Sequence, residues 1–514
     1  MMPSNLSFGV EIEFLIAALH PGMRDPHRGV AGLPPVLRIT NKQLRGKMTK
    51  EVEAVVHKKV KDVIDGCFRG QPITSFVTAA EADPTPMEKY RFWGVGEEES
   101  VAENTDEYRY YSVEIKSPAE YATPDAFEAL CLAIAAVTSR FRCLVNDSCG
   151  LHVHIGLGRE RLSVEHIRRI AALSYAVEPL LFTLHDPKRV TNRHSLPLRL
   201  YSFLSGKYLD KGTNTKRNTE FRPPVPHESG TLYTACYQYI GETLRHGEPP
   251  LSTREDDDEE VYVDDFLETR RPGHFEPFYK NGTSRHTHTF SRDIFEEVDL
   301  RIALAEIELA ATGANTAPTN PDDNSVESVR QTPRIKLPLY DEDYLLRVDK
   351  IFQRNGISVA HELVSEVLNK RPREVDTFEA TAEIYARSVS CSVGELLWSQ
   401  RERLATNFAG YRCDTLQSPR MTMRTIEVRF GSASIDAEWV TTWAKICVGL
   451  FRFALYASPS KFLDLLTKCE QAIQGEGDPY DVLDLLEELG LFAEAKIAEK
   501  RLVENMGRWN LQFV

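Results

Sequence analysis

Four short segments alternate apolar and polar residues with a period of two. In Phe8–Phe14 (FGVEIEF), Val10, Ile12 and Phe14 take one side and Glu11 and Glu13 the other. Tyr110–Ser117 (YYSVEIKS) sets Val113 and Ile115 against Glu114 and Lys116, and Leu151–Gly156 (LHVHIG) sets Leu151, Val153 and Ile155 against His152 and His154. Thr425–Gly431 (TIEVRFG) sets Ile426, Val428 and Phe430 against Glu427 and Arg429. This pattern predicts half-buried strands. Elsewhere the period shifts to that of a helix. Thr123 and Pro124 open one whose stripe is Phe127, Leu130, Ile134, Val137, Phe141 and Leu144. Ser163 caps a second, with Ile167, Ile170, Ser174, Val177 and Leu181 inward, broken at Asp186–Pro187. Asp436 opens a third, with Trp439, Trp443, Ile446, Leu450 and Phe453 inward.

Helical character is also expected around Lys50–Ile64, over Asp341–Asn407 (Leu345, Val348, Phe352, Leu363 and Val367 as apolar positions) and in the tail Asp478–Val514. Glu255–Glu260 (EDDDEE) and Thr312–Ser328 are apolar-poor and predict mobile loops. The implied division is a sheet core over residues 1–204 with an insertion at about 20–105, a second insertion over 205–340, and 341–514 carrying a helical layer, the last strand (425–431) and C-terminal helices. Length alone suggests roughly two to four domains in 514 residues.

The formal net charge of -14 disfavours sequence-independent nucleic-acid binding, which needs clustered Lys and Arg. No apolar run approaches the ~18 residues that span a bilayer, so no membrane partner is expected. The start MMPSNLSFGVEIEF lacks the basic and apolar regions of a secretory signal, and nine cysteines without CxxC pairs favour free thiols. The expected location is intracellular, in the cytoplasm.

If the four strands lie side by side with helices on their apolar faces, Glu11, Glu13, Glu114, Lys116, His152, His154, Glu427 and Arg429 converge on one surface. Carboxylates so close repel one another and require protons or cations, and hard ions such as Mg²⁺ take oxygen ligands. Imidazoles and a guanidinium suit phosphate oxygens. Each piece also has a plainer explanation. Glu-x-Glu is common on solvated strand faces, His-x-His can be structural, and Glu427 with Arg429 can be a same-face ion pair of ~0.2–1 kcal/mol. The pair His286 and His288 lacks alternation and reads as a surface loop; Cys149 reads as a buried thiol. Thr191–His194 with Arg199, and Lys207–Tyr208, are open between substrate contact and ordinary surface. There is no GxxxxGK[ST] or GxGxxG.

The motifs FGVEIEF, VEIKSP, CGLHVHIG and TIEVRFGSASID resemble, in that order, the signature strands of the amidoligase family, a branch of the carboxylate-amine ligases that includes glutamine synthetase and glutamate-cysteine ligase. The resemblance covers roughly residues 8–16, 110–185 and 411–455. It implies an α+β fold: a mostly antiparallel, glutamine-synthetase-like sheet with one open face for ATP and roughly two or three Mg²⁺ ions, Mn²⁺ being an alternative. On this resemblance Glu11, Glu13, Glu114, His152 and Glu427 are metal ligands. His152, His154, Arg429 and Lys116 contact nucleotide or phosphate, and Arg429, Glu427 and His152 are catalytic. The implied reaction is ATP-dependent joining of a carboxylate to an amine through an acyl phosphate, on a small-molecule or peptide substrate. Two rivals stand beside it: a metal-dependent hydrolase built on His152 and His154, and a non-catalytic nucleotide-binding relative. The identity of the acid and amine, and the oligomeric state, are not legible.

Overall fold

The computed structural model describes residues 6–44, 49–68, 90–103, 105, 107–158, 160–192, 194–202, 204, 330–337, 375–387, 390–398, 403–411 and 425–513. Among the described residues nine strands form one sheet: β1 Ser7–Leu19, β2 Leu37–Arg38, β3 Gly94–Gly96, β4 Arg109–Lys116, β5 Glu120–Tyr121, β6 Cys143–Leu144, β7 Gly150–Gly156, β8 Thr406–Asn407 and β9 Ile426–Ser432. Their order is β3-β4-β1-β7-β9-β8, with β2, β5 and β6 also pairing with β1. Only the β1–β2 pairing is parallel. The expected α+β architecture with a mostly antiparallel sheet is therefore present.

Register decides what meets what. Glu11 lies opposite Lys116 and Glu13 opposite Glu114 across β1 and β4, while Glu11 faces His152 across β1 and β7. His154 faces Glu427 across β7 and β9. Because side chains alternate with period two, these registers send every one of those polar groups to the same face.

The other face is covered by four helices, Thr49–Phe68, Pro124–Arg140, Val164–Phe182 and Ala437–Tyr456. Their starts follow local chemistry: the Thr123, Ser163 and Asp436 side chains accept backbone N–H bonds at the N-caps, as expected. Phe430 of β9 packs on Phe182 with ring centroids 4.8 Å apart, and His185 meets Trp443 edge-on at 4.3 Å. Trp439 and Trp443 are fully buried, and truncating either to alanine costs ~3–5 kcal/mol. Gly431 permits this packing, since a Cβ there would stand 2.5 Å from the Leu151 carbonyl and 2.8 Å from the Trp443 indole nitrogen.

Three boundaries differ from the sequence expectation. The helix opened by Pro124 ends at Arg140, and Leu144 instead pairs with β1 in β6, because Phe141 is already extended and caps the helix. The end of the stretch expected as helical, Asp341–Asn407, is a strand: Thr406 and Asn407 pair with Val428 and Glu427 and satisfy the outer edge of β9. β1 runs five residues past Phe14, because Leu15, Ala17 and Leu19 on the polar side are themselves buried by Val101, Cys149 and Tyr108. Within 20–105, β2, β3 and the Thr49–Phe68 helix (Val52, Val56, Val60 and Ile64 buried) join the same sheet and core. Among 341–407 the described helices are Thr377–Tyr385 and Ser390–Leu396. Leu345, Val348, Phe352, Leu363, Val367, Glu255–Glu260, Thr312–Ser328, His286, His288 and Lys207–Tyr208 lie outside the described residues. The tail forms helices Val482–Glu488 and Phe492–Trp509. No described helix is long and apolar enough to cross a membrane.

Candidate metal centre

The polar sides of β1, β4, β7 and β9 bring all eight sequence-predicted residues together. His152 is at the middle. Its Nδ1 lies 3.5 Å from Glu11 Oε2, 3.7 Å from Glu13 Oε1 and 3.7 Å from Glu427 Oε1. The Nε2 of His154 lies 3.5 Å from Glu11 Oε1 and 3.7 Å from Glu427 Oε1. Distances of this length are attractive but too long for hydrogen bonds, and both nitrogens are buried without a hydrogen-bond partner. A buried polar atom left this way costs ~1–3 kcal/mol unless something else satisfies it.

Two basic groups and two neutral N–H donors hold the carboxylates. Lys116 Nζ bridges Glu11 at 3.1 Å and Glu114 at 2.9 Å. Its side chain is 36% exposed, so the ammonium can swing into solvent and leave the two carboxylates to another cation. Arg429 is different: with a side chain only 5% exposed, it pairs with Glu427 and donates Nε to the His194 carbonyl at 3.0 Å. This guanidinium is built into the wall of the site. Asn407 Nδ2 donates to Glu427 Oε2 at 2.9 Å, and the Gly150 N–H donates to Glu13 Oε2 at 2.7 Å. His154 is oriented by Thr425, 3.3 Å from Nδ1.

The electrostatics separate the carboxyls. Burial pushes Glu11 up, but the His152 and His154 imidazoles and Lys116 outweigh it and hold it far below the usual carboxylate range. Burial likewise raises Glu427, and His154, Arg429 and His152 bring it below its ordinary value. Glu114 moves the other way: burial and the Glu11 charge lift it to about 7 against the pull of Lys116. Burial lowers His154, but Glu427 and Glu11 reverse the effect and raise it.

Sequence reasoning missed one member. Glu98, two residues after β3, brings a carboxylate oxygen to Glu13 and Glu114, with one ligand atom of each within 4.8 Å of the others. Ser100 fixes it through Oγ at 2.6 Å and its backbone N–H at 3.1 Å. A second trio under the same criterion is Glu11, His154 and Glu427. The donor set of carboxylate oxygens and imidazole nitrogens, with two nitrogens unsatisfied, fits hard divalent cations. Cys149 is buried and its thiol is pushed up to about 11 by that burial, in keeping with a structural thiol. Arg199 is spent on Thr377 and Glu470, away from the cluster.

Residues 4–200 match the family model described as "putative amidoligase enzyme". The matched sequence contains Glu11, Glu13, Glu98, Glu114, Lys116, His152 and His154, and the similarity points to an enzyme of the ligase type. Glu427 and Arg429 lie beyond the matched residues and join the matched segment through the β7–β9 pairing. No curated protein and no solved structure matches the chain.

Proposed function

We propose that the chain is an ATP-dependent carboxylate-amine ligase. The observation that carries this reading is the meeting, on one sheet face, of five glutamates and two histidines, each with one buried ring nitrogen, His152 Nδ1 and His154 Nε2, that lacks a hydrogen-bond partner. The amidoligase match over residues 4–200 supports the ligase class. In this reading the sheet core is glutamine-synthetase-like, and the residues that would hold Mg²⁺ or Mn²⁺ are Glu11, His154 and Glu427 and, in a second trio, Glu13, Glu98 and Glu114, with His152 beside both Glu11 and Glu13. When bound, such ions neutralise phosphate charge.

The chain's own groups have distinct tasks. Arg429, fixed by Glu427 and His194, keeps a permanent positive charge beside the cluster, suited to charge that spreads over a transferring phosphoryl group. Lys116 swings from Glu11 and Glu114 toward phosphate oxygens when the carboxylates take a cation. The γ-phosphoryl group passes to a substrate carboxylate, ADP leaves, and an amine then displaces phosphate from the acyl phosphate to give an amide. Cys149 is not needed as a nucleophile. Incubating the protein with ATP, Mg²⁺ and mixtures of amines and carboxylates should release ADP, and a Glu427→Ala variant as active as wild type would sink the proposal.

The same Glu11, His154 and Glu427 trio also suits zinc, which favours a hydrolase as the second reading. That reading requires zinc retained through purification and turnover without ATP.

A further inference from the structure

A cavity of about 260 Å³ opens where the C-terminal helix Phe492–Trp509 meets the loop after β9 and the turn before β7. A single water needs only ~10–15 Å³, so the space suits a small organic molecule. Its wall reaches the candidate metal centre. Cys149 lines the cavity, and the next residue, Gly150, donates its N–H to Glu13.

The charges on this wall are mixed, and most are paired off. Lys188 bonds Asp147 at 2.5 Å, and Arg508 lies 3.5 Å from Asp186. Arg189 is spent on the carbonyls of Cys149, Arg429 and Phe430. Two wall residues remain. Arg501 donates Nε to the Leu184 carbonyl at 3.2 Å, and its guanidinium stacks on Trp439 at 4.2 Å and Trp509 at 5.3 Å. Its Nη groups have no hydrogen-bond or ion-pair partner among the described residues. Asp436 uses Oδ1 to cap the Ala437–Tyr456 helix, and its Oδ2 has no partner among them either. Arg501 and Asp436 line one cavity and feel each other's charge, yet no Asp436 oxygen comes within salt-bridge distance of an Arg501 nitrogen. The Trp509 indole N–H, also on this wall, is buried without an acceptor.

A rigid guanidinium fork takes a carboxylate, and a carboxylate oxygen takes an ammonium. Free phosphate would meet three aspartates here, and a lone cation would meet the guanidinium. We infer that this cavity binds a zwitterionic end group, a carboxylate and an ammonium on neighbouring carbons, through Arg501 and Asp436. The ligand class is a free amino acid or the end of a short peptide. That this ligand is the substrate of the metal centre rests on the ligase reading; that it binds does not.

The test uses saturation-transfer NMR on the full chain with the free common amino acids and glycylglycine, and with their N-acetyl and C-amide forms. At least one free zwitterion should bind and both of its blocked forms should not. Arg501→Met keeps the bulk between the two tryptophans, and Asp436→Asn keeps a good cap while losing the charge. Each should weaken zwitterion binding tenfold or more and leave Mn²⁺ binding unchanged. If Arg501→Met fails to fold, Asp436→Asn with an unchanged melting temperature carries the test. Blocked forms that bind as well as free ones, variants that bind like wild type, or no zwitterion bound at millimolar concentration would each overturn the inference. ATP binding on the same samples reports separately. Its absence, with Arg501-dependent zwitterion binding intact, contradicts the ligase reading and upholds the cavity.

Discussion

Replacing Gly150 by alanine perturbs the candidate metal centre without altering a charge. A Cβ there would stand 2.5 Å from His152 Nε2 and 3.2 Å from Glu13 Oε2. To restore ordinary contact at 3.4 Å the imidazole must retreat by about 0.9 Å. His152 is only 3% exposed, so the ring cannot escape to solvent. Gly150 has no positive φ, so alanine strains the packing and not the backbone. Overpacking of this kind costs ~1–3 kcal/mol, and the displaced Nδ1 leaves its position among Glu11, Glu13 and Glu427. Loss of the arrangement around a ligand lowers metal affinity by ~10–100-fold. Electron paramagnetic resonance titration of free Mn²⁺ measures this directly, and Gly96→Ala is the matched control, because nothing lies within 4 Å of a Cβ at that strand position. Equal Mn²⁺ affinity in Gly150→Ala and wild type would refute the placement of His152 against the carboxylates.

Further outcomes follow from the same geometry. Glu98→Gln should lower the number of Mn²⁺ ions bound by one, with the Glu11–His154–Glu427 ion retained, in the same titration. Lys116→Met should lower the metal-free melting temperature, because Glu11 loses its ammonium partner and Glu114 must take up a proton beside it, and Mg²⁺ should raise it by more than it raises wild type, as read by differential scanning fluorimetry. Glu178 lies in the Val164–Phe182 helix; burial lifts its carboxyl to about 8, against the Leu198 N–H that holds Oε1 at 3.0 Å. A carboxyl raised in the folded state favours folding below its unfolded value near 4.5 and loses that advantage as pH rises through 8. Wild type should therefore lose on the order of 4 kcal/mol relative to Glu178→Gln between pH 4.5 and 9 in urea melts.

Period-two alternation in Phe8–Phe14, Tyr110–Ser117, Leu151–Gly156 and Thr425–Gly431 made the polar face of the sheet legible, because a one-residue register slip would bury Glu11 or His152 against the helices. Thr123, Ser163 and Asp436 marked helix starts because their side chains are the local solution for unpaired N–H groups. Glu98 was not legible. It belongs to the run Glu97–Glu99, where no apolar neighbour tells which carboxylate turns inward, and β3 is only three residues long. Thr406 and Asn407 were misread as helix because a two-residue edge strand has no period of its own; its partner β9 imposes it. The cavity at Arg501 and Asp436 depends on elements brought together only by the fold, so no local spacing could announce it.

The central claim is that this face spends ATP to join a carboxylate to an amine, and it is tested most directly by the stoichiometry of products. Wild-type protein incubated with ATP, Mg²⁺ and whole-cell metabolite extract should yield a condensation product by intact-mass analysis, with one ADP and one phosphate formed for each amide. The account predicts that omitting ATP abolishes the product. Turnover that proceeds without ATP on protein purified with bound zinc would contradict it.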